Sequence, residues 1–249
     1  LSAVENCAWE RGVSVLLGNT EFDDERQSRY IGSLLDKNVD GLIFMSHRLL
    51  DKDVEEIRRQ RVPVVFLSRL DDRVEADFVS VDNVAGTRMA MRHLLEAGHR
   101  RIGFIAGRRQ FTAANEREAP YRQMLSQAGR EADPQLVAQG DYTEKSGRTG
   151  GAQLLDLAEP PTAIFCANDL MALGAMAAAA ERGLRIPEDL SLVGFDNVDI
   201  TAHPLISLTT VHTPRDEMGR AAARLLFDRV EGPARAQLVV RRSVTAPRT

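Results

Sequence analysis

Pro161-Thr-Ala-Ile-Phe-Cys-Ala-Asn168-Asp169-Leu-Met-Ala-Leu-Gly174, then Val193-Gly-Phe-Asp196-Asn197, then Leu208-Thr-Thr-Val-His212-Thr-Pro214: the fold is decided in these three pieces. Residues 163–167 form a short apolar run that ends at Asn168 and Asp169. Residues 170–181 are rich in Ala, Met and Leu and close on Arg182-Gly183, which reads as a helix. Residues 190–195 form a second apolar run, ended by Asp196 and Asn197. Polar clusters at the carboxyl ends of successive buried strands are where open α/β sheets bind ligands.

Outward from that stretch the same alternation continues. Toward the N-terminus it predicts a helix over 1–11, a strand at 13–17, a helix at 24–37 and a strand at 39–45. A helix at 51–60 and strands at 62–67 and 79–81 follow, then a helix at 83–97. A second series starts with a strand at 101–106, a loop at 107–114, a helix at 116–128 and a strand near 136–139. A helix at 145–157 leads into the opening stretch, and a helix at 215–230 and a strand at 237–244 finish the chain. Strands alternating with helices imply right-handed crossovers and parallel sheets. No repeat is visible residue for residue.

The chain has 249 residues, 43% of them apolar and 27% charged, the profile of a soluble globular protein. No apolar run approaches the roughly 20 residues that span a bilayer. A net charge of −4, with arginines scattered among acids, argues against nucleic-acid binding by this part of the chain. Cys7 and Cys166 have no partners at ligand spacing and read as free structural thiols, in keeping with reducing cytoplasm.

Catalytic signatures are missing. There is no Gly-x-Ser-x-Gly elbow, phosphate loop or His-Glu-x-x-His helix, and the five histidines are dispersed. Neither an enzyme, a cofactor nor a metal site is expected. Asn168 can donate and accept at once, and Asp196 can accept from two hydroxyls, as a polyol ligand requires. Each can equally cap the helix or turn that follows it. Asp82 reads as the organiser of the turn into the helix at 83.

With Asn38-Val-Asp-Gly-Leu-Ile-Phe44, Val62-Pro-Val-Val-Phe66, Val81-Asp-Asn83, Gly98-His-Arg-Arg-Ile-Gly-Phe-Ile-Ala-Gly107 and Gly140-Asp-Tyr142 added to the opening stretch, the chain resembles the effector-binding core of the lactose repressor (LacI) family of bacterial transcription regulators. That family shares its fold with sugar-binding periplasmic proteins. The resemblance covers nearly the whole chain. It implies two Rossmann-like lobes joined by a multi-strand hinge, with residues 1–98 and 213–231 in one lobe and 99–210 with 237–247 in the other. It also implies that the family's first strand, and a helix-turn-helix DNA-binding domain, lie outside this sequence.

Four further ligand positions follow from the resemblance: Arg69, Arg117, Tyr142 and His212. Arg69 has the alternative of pairing with Asp71 or Asp72, Tyr142 of lining a rim, and His212 of sitting in an interface. Pro120, three residues after Arg117, is expected to disturb the helix there. Phe111 either lines the pocket or packs beneath it.

The function implied is that of a cytoplasmic, homodimeric repressor core. A sugar, sugar phosphate or nucleobase-like effector would bind in the cleft between the lobes and control operator binding through the DNA-binding domain, with no membrane partner. The alternative is a periplasmic sugar-binding protein of a transporter. The repressor-like segment at 204–214 and the excess of arginine over lysine count against it.

Overall fold

The computed structural model describes the chain except for residues 22, 46–48, 69–72, 74–75, 131–132, 229–236 and 240–249. Packing divides it into two compact units, residues 1–81 with 214–235, and residues 82–213 with 236–249.

In the first unit, β1 (Leu42–Phe44), β2 (Val64–Leu67) and β3 (Asp77–Val79) form a parallel sheet in that order. Successive side chains of a strand face opposite ways, and β2 shows the consequence. Val64 and Phe66 join Ile31 and Leu35 of α2 (Asp24–Leu35) and Val54 and Ile57 of α3 (Asp51–Gln60). Val65 instead joins Ala222 and Leu225 of α8 (Arg215–Asp228). The N-terminal helix α1 (Ser2–Trp9) packs on α8, and its Trp9 is 85% exposed. Residues 13–17, expected as a strand, are irregular and join neither described sheet, and Leu16 and Leu17 lie on the surface. An apolar run becomes a strand only where a neighbour takes its backbone groups.

The second unit holds a six-stranded sheet ordered β5 (Val137–Gln139), β4 (Ile102–Ala106), β6 (Ala163–Cys166), β7 (Ser191–Asp196), β8 (Thr209–His212) and β9 (Gln237–Val239). All neighbours are parallel except β8 and β9. The central strands β4 and β6 are buried at every position, which explains their unbroken apolar sequences. Helices α4 (Asn83–Glu96) and α5 (Thr112–Gln127) pack together, as do α6 (Glu144–Leu155) and α7 (Asp169–Ala180).

Residues 82–98 pack with this second unit, whereas the sequence reading put them with the first. Gly86 of α4 lies against the side chains of Phe195 and Val211, so α4 belongs to the sheet of β7 and β8. Helix α5 starts earlier than expected and runs through Pro120 without a break. Arg69 and the end of the closing strand fall outside the described residues.

Candidate functional site

The carboxyl ends of the parallel strands in the second unit carry the polar residues. Beyond β4 comes Gly107, beyond β5 Tyr142, beyond β6 Asn168, at the end of β7 Asp196 and at the end of β8 His212. Chain reversal at these ends needs unusual backbone: Tyr142, Asp196 and Asn197 have φ of 71°, 113° and 57°. Non-glycine residues hold such angles where surrounding contacts fix them.

Arg117 is the cation of this region and is 7% exposed. Its Nε donates to Asn83 Oδ1 at 2.9 Å, and Nη1 donates to the Ala167 carbonyl. Its guanidinium carbon lies 3.7 Å from the centre of the Phe195 ring, and Nη2 is 3.9 Å from Asp196 Oδ1. Asn83 Nδ2 donates in turn to Glu116 Oε2 at 2.7 Å. A buried guanidinium needs paired charge and hydrogen-bond acceptors; here Asp196 supplies the charge and Asn83 and the Ala167 carbonyl accept two of its hydrogen bonds. Asp196 also accepts from Thr213 Oγ1 at 3.3 Å.

Tyr142 stands beside this pair. Burial raises its phenol above the ordinary value, while Arg117 pulls it down and Asp196 pushes it up. The ring is tilted against Phe111, with centroids 5.9 Å apart. A side chain on Gly107 would collide with the Tyr142 ring and hydroxyl, so glycine is required there. Among the described residues the Tyr142 hydroxyl is buried without a hydrogen-bond partner.

Asn168 spends its amide locally. Its Oδ1 caps α7 by accepting from Met171 N at 2.9 Å, and its Nδ2 donates to the Tyr142 carbonyl at 3.0 Å. His212 Nδ1 meets Asn197 Nδ2 at 3.1 Å. Asp82 caps α4 by accepting from Ala85 N at 2.8 Å. Arg117, Tyr142, Asn168, Asp196 and His212 thus share one edge of one sheet. Asn83 entered the sequence reading only within a family match and Asp169 only as part of a polar cluster, and neither was given a role of its own, because an Asn or Asp at a helix start reads first as a cap. Among the described residues no group of acids, histidines and cysteines could hold a metal ion, and no helix is long and apolar enough to cross a membrane.

Residues 91–248 match the family model described as a periplasmic binding protein-like domain. The chain is 39% identical over 233 residues to the HTH-type transcriptional repressor CytR of Escherichia coli (strain K12), covering 93% of this chain and 68% of that protein. This chain belongs to the LacI family of transcriptional regulators. To the HTH-type transcriptional repressor PurR of Klebsiella pneumoniae (strain 342) it is 35% identical over 232 residues, covering 92% of this chain and 68% of that one. The structure of the transcriptional regulator CelR–cellobiose complex superposes with a TM-score of 0.84 at 35% identity, covering 97% of this chain and 76% of that one. These relatives are regulators of transcription rather than enzymes, and they favour the effector-binding core of a repressor over a transporter's sugar-binding protein.

Proposed function

We propose that this core senses a neutral, polyhydroxylated small molecule, a sugar or a nucleoside, which binds at the carboxyl edge of the second unit's sheet and controls operator binding by the repressor. The observation that carries the reading is the Tyr142 hydroxyl, buried beside Arg117 and Asp196 without a hydrogen-bond partner among the described residues. A buried polar atom without a partner costs roughly 1–3 kcal/mol, and a ligand hydroxyl removes that cost. Asp196 accepts from further hydroxyls, and Phe111 with Tyr142 offers apolar ring surface to a sugar or base.

Neutral ligands fit better than phosphorylated ones. Arg117 already faces Asn83, the Ala167 carbonyl, Phe195 and Asp196, so its charge is spent within the protein. A phosphate would meet the Asp196 carboxylate, and Arg117 beside it is already engaged within the protein. His212, held by Asn197, completes the edge. Homodimerisation suits the apolar residues left on the surface, among them Leu170, Ile200 and Leu205.

A thermal-shift scan against ribose, glucose, cellobiose, cytidine and adenosine, each beside its phosphorylated form where one exists, tests this. A ligand at about 100 times its Kd stabilises by roughly 2.7 kcal/mol, which moves Tm by several degrees. The expected result is a shift with a neutral compound that Arg117→Ala abolishes. A shift confined to phosphate esters overturns the reading of a neutral effector.

A further inference from the structure

Asp169 follows the cap Asn168 at the start of α7, yet its carboxylate engages β8 and the loop after β7. The residue is 0% exposed. Oδ1 accepts from Thr210 Oγ1 at 2.5 Å and Oδ2 from the Val198 amide at 2.8 Å. Gly194 leaves the space for this: a Cβ there would strike the Asp169 carboxylate. The same Thr210 oxygen accepts the Asn197 amide at 3.4 Å, and Asn197 holds His212. The segment so tethered includes Asp196 and Asn197, the two residues with left-handed backbone.

We infer that Asp169 is a positioning residue for the loop that presents Asp196 and His212, and that uptake of one proton by its carboxylate loosens that loop. That this loop faces an effector rests on the function proposed above; the tether itself does not. The groups facing Asp169 are Asp196 from β7, Cys166 from β6, and Thr210 from β8, with His212 one residue removed behind Asn197. Among its described hydrogen-bond and ion-pair partners there is no cation. Burial pushes the carboxyl up to about 7, the Thr210 and Val198 hydrogen bonds pull it down, and Asp196 pushes it up.

Every partner of Asp169 donates, which suits a carboxylate. When a proton from solvent binds, the new O–H needs an acceptor. Thr210 Oγ1 is the nearest, and its own hydrogen must then turn to the Val211 carbonyl 3.5 Å away. The short bond between Asp169 and Thr210 loses its charge and reverses direction, the threonine hydrogen is left with a long contact, and the Val198 amide loses its charged acceptor. Hydrogen bonds to an ionised group are roughly twice as strong as neutral ones, so the loop is held less firmly on the acid side.

The experiment is an NMR titration of the labelled chain from roughly pH 5 to roughly pH 9, a window centred on the range where raised carboxyls ionise. It follows the Asp169 side-chain carboxyl carbon together with the Val198 and Asn197 amides. The expected result is a carboxyl midpoint near neutrality with both amides moving at that midpoint. Thr210→Val, which removes a donor that favours the carboxylate, raises the midpoint. Asp169→Asn keeps His212 and abolishes the amide response; if that variant does not fold, Thr210→Val alone decides. A midpoint in the ordinary carboxylate range overturns the proposal, and so does a neutral midpoint with unmoved amides. If ribose, cellobiose and cytidine all fail to shift Tm, the effector reading has failed while the titration still settles the tether. Any of the three that binds is expected to bind at least threefold more weakly on the acid side of the midpoint, and equal affinity on both sides refutes the link to effector.

Discussion

Tyr142 presses its hydroxyl against the backbone of Gly107, where no side chain could stand. Tyr142→Phe is therefore expected to stabilise the ligand-free protein by about 1 kcal/mol, since it deletes an unpaired buried hydroxyl. The same change is expected to weaken effector binding about tenfold; calorimetry on both forms checks the opposite signs. Gly107→Ala should displace the ring and lower affinity without the gain in stability. Asp196 was named in the sequence because it closes an apolar run at a strand's carboxyl end, whereas Arg117 and Tyr142 came from the family resemblance. The roles of Asn83 and Asp169 were not legible, because a carboxylate or amide at a helix start has a sufficient local use, and only tertiary contacts reveal the second one. Asn168 shows both uses at once, capping α7 with its oxygen and holding the Tyr142 backbone with its nitrogen.

Between α6 and α7 the helices meet almost backbone to backbone. A Cβ on Gly174 would collide with the Glu144 carbonyl and the Arg148 amide, and one on Gly147 with the backbone of Met171. Gly174→Ala is accordingly expected to cost about 1–3 kcal/mol, measured as a fall in the urea midpoint. Gly32, inside α2, has open space around it. There Gly32→Ala is expected to stabilise by up to about 1 kcal/mol through helix propensity. The contrast could not be read from the sequence, where both glycines interrupt a helical pattern alike. Pro120 teaches the same lesson in reverse. Its ring removes one helix hydrogen bond, but Arg117 on one side is fixed by Asn83, and Tyr121 on the other donates to the Ile102 carbonyl at 2.8 Å and stacks on Phe104. Anchored on both sides, α5 continues.

For the whole chain, the alternation of apolar runs and helices was enough to predict parallel sheets, because a helix between two strands carries the chain back to start the next strand in the same direction. The strand expected at 13–17 failed because pairing, which periodicity does not report, decides it. At this scale the raised Asp169 carboxyl has a global consequence. The folded protein holds that proton up to about pH 7, whereas an unfolded carboxyl with its ordinary value of 3.8 has already released it. Stability is therefore expected to fall as pH rises from about 4 to about 7 and to level off above, by roughly 4 kcal/mol from this group alone. Chemical denaturation at several pH values checks this, and Asp169→Asn should flatten the slope.

Trp9 is the chain's one tryptophan. It stands exposed on α1 of the first unit, while Arg117, Tyr142 and Asp196 belong to the second. The chain's single tryptophan thus stands in the unit that does not hold those residues. A sugar that merely fills the site leaves its emission unchanged. A change in that emission on adding sugar is expected if binding also alters the first unit, and a titration with tryptophan-selective excitation checks this without any added label.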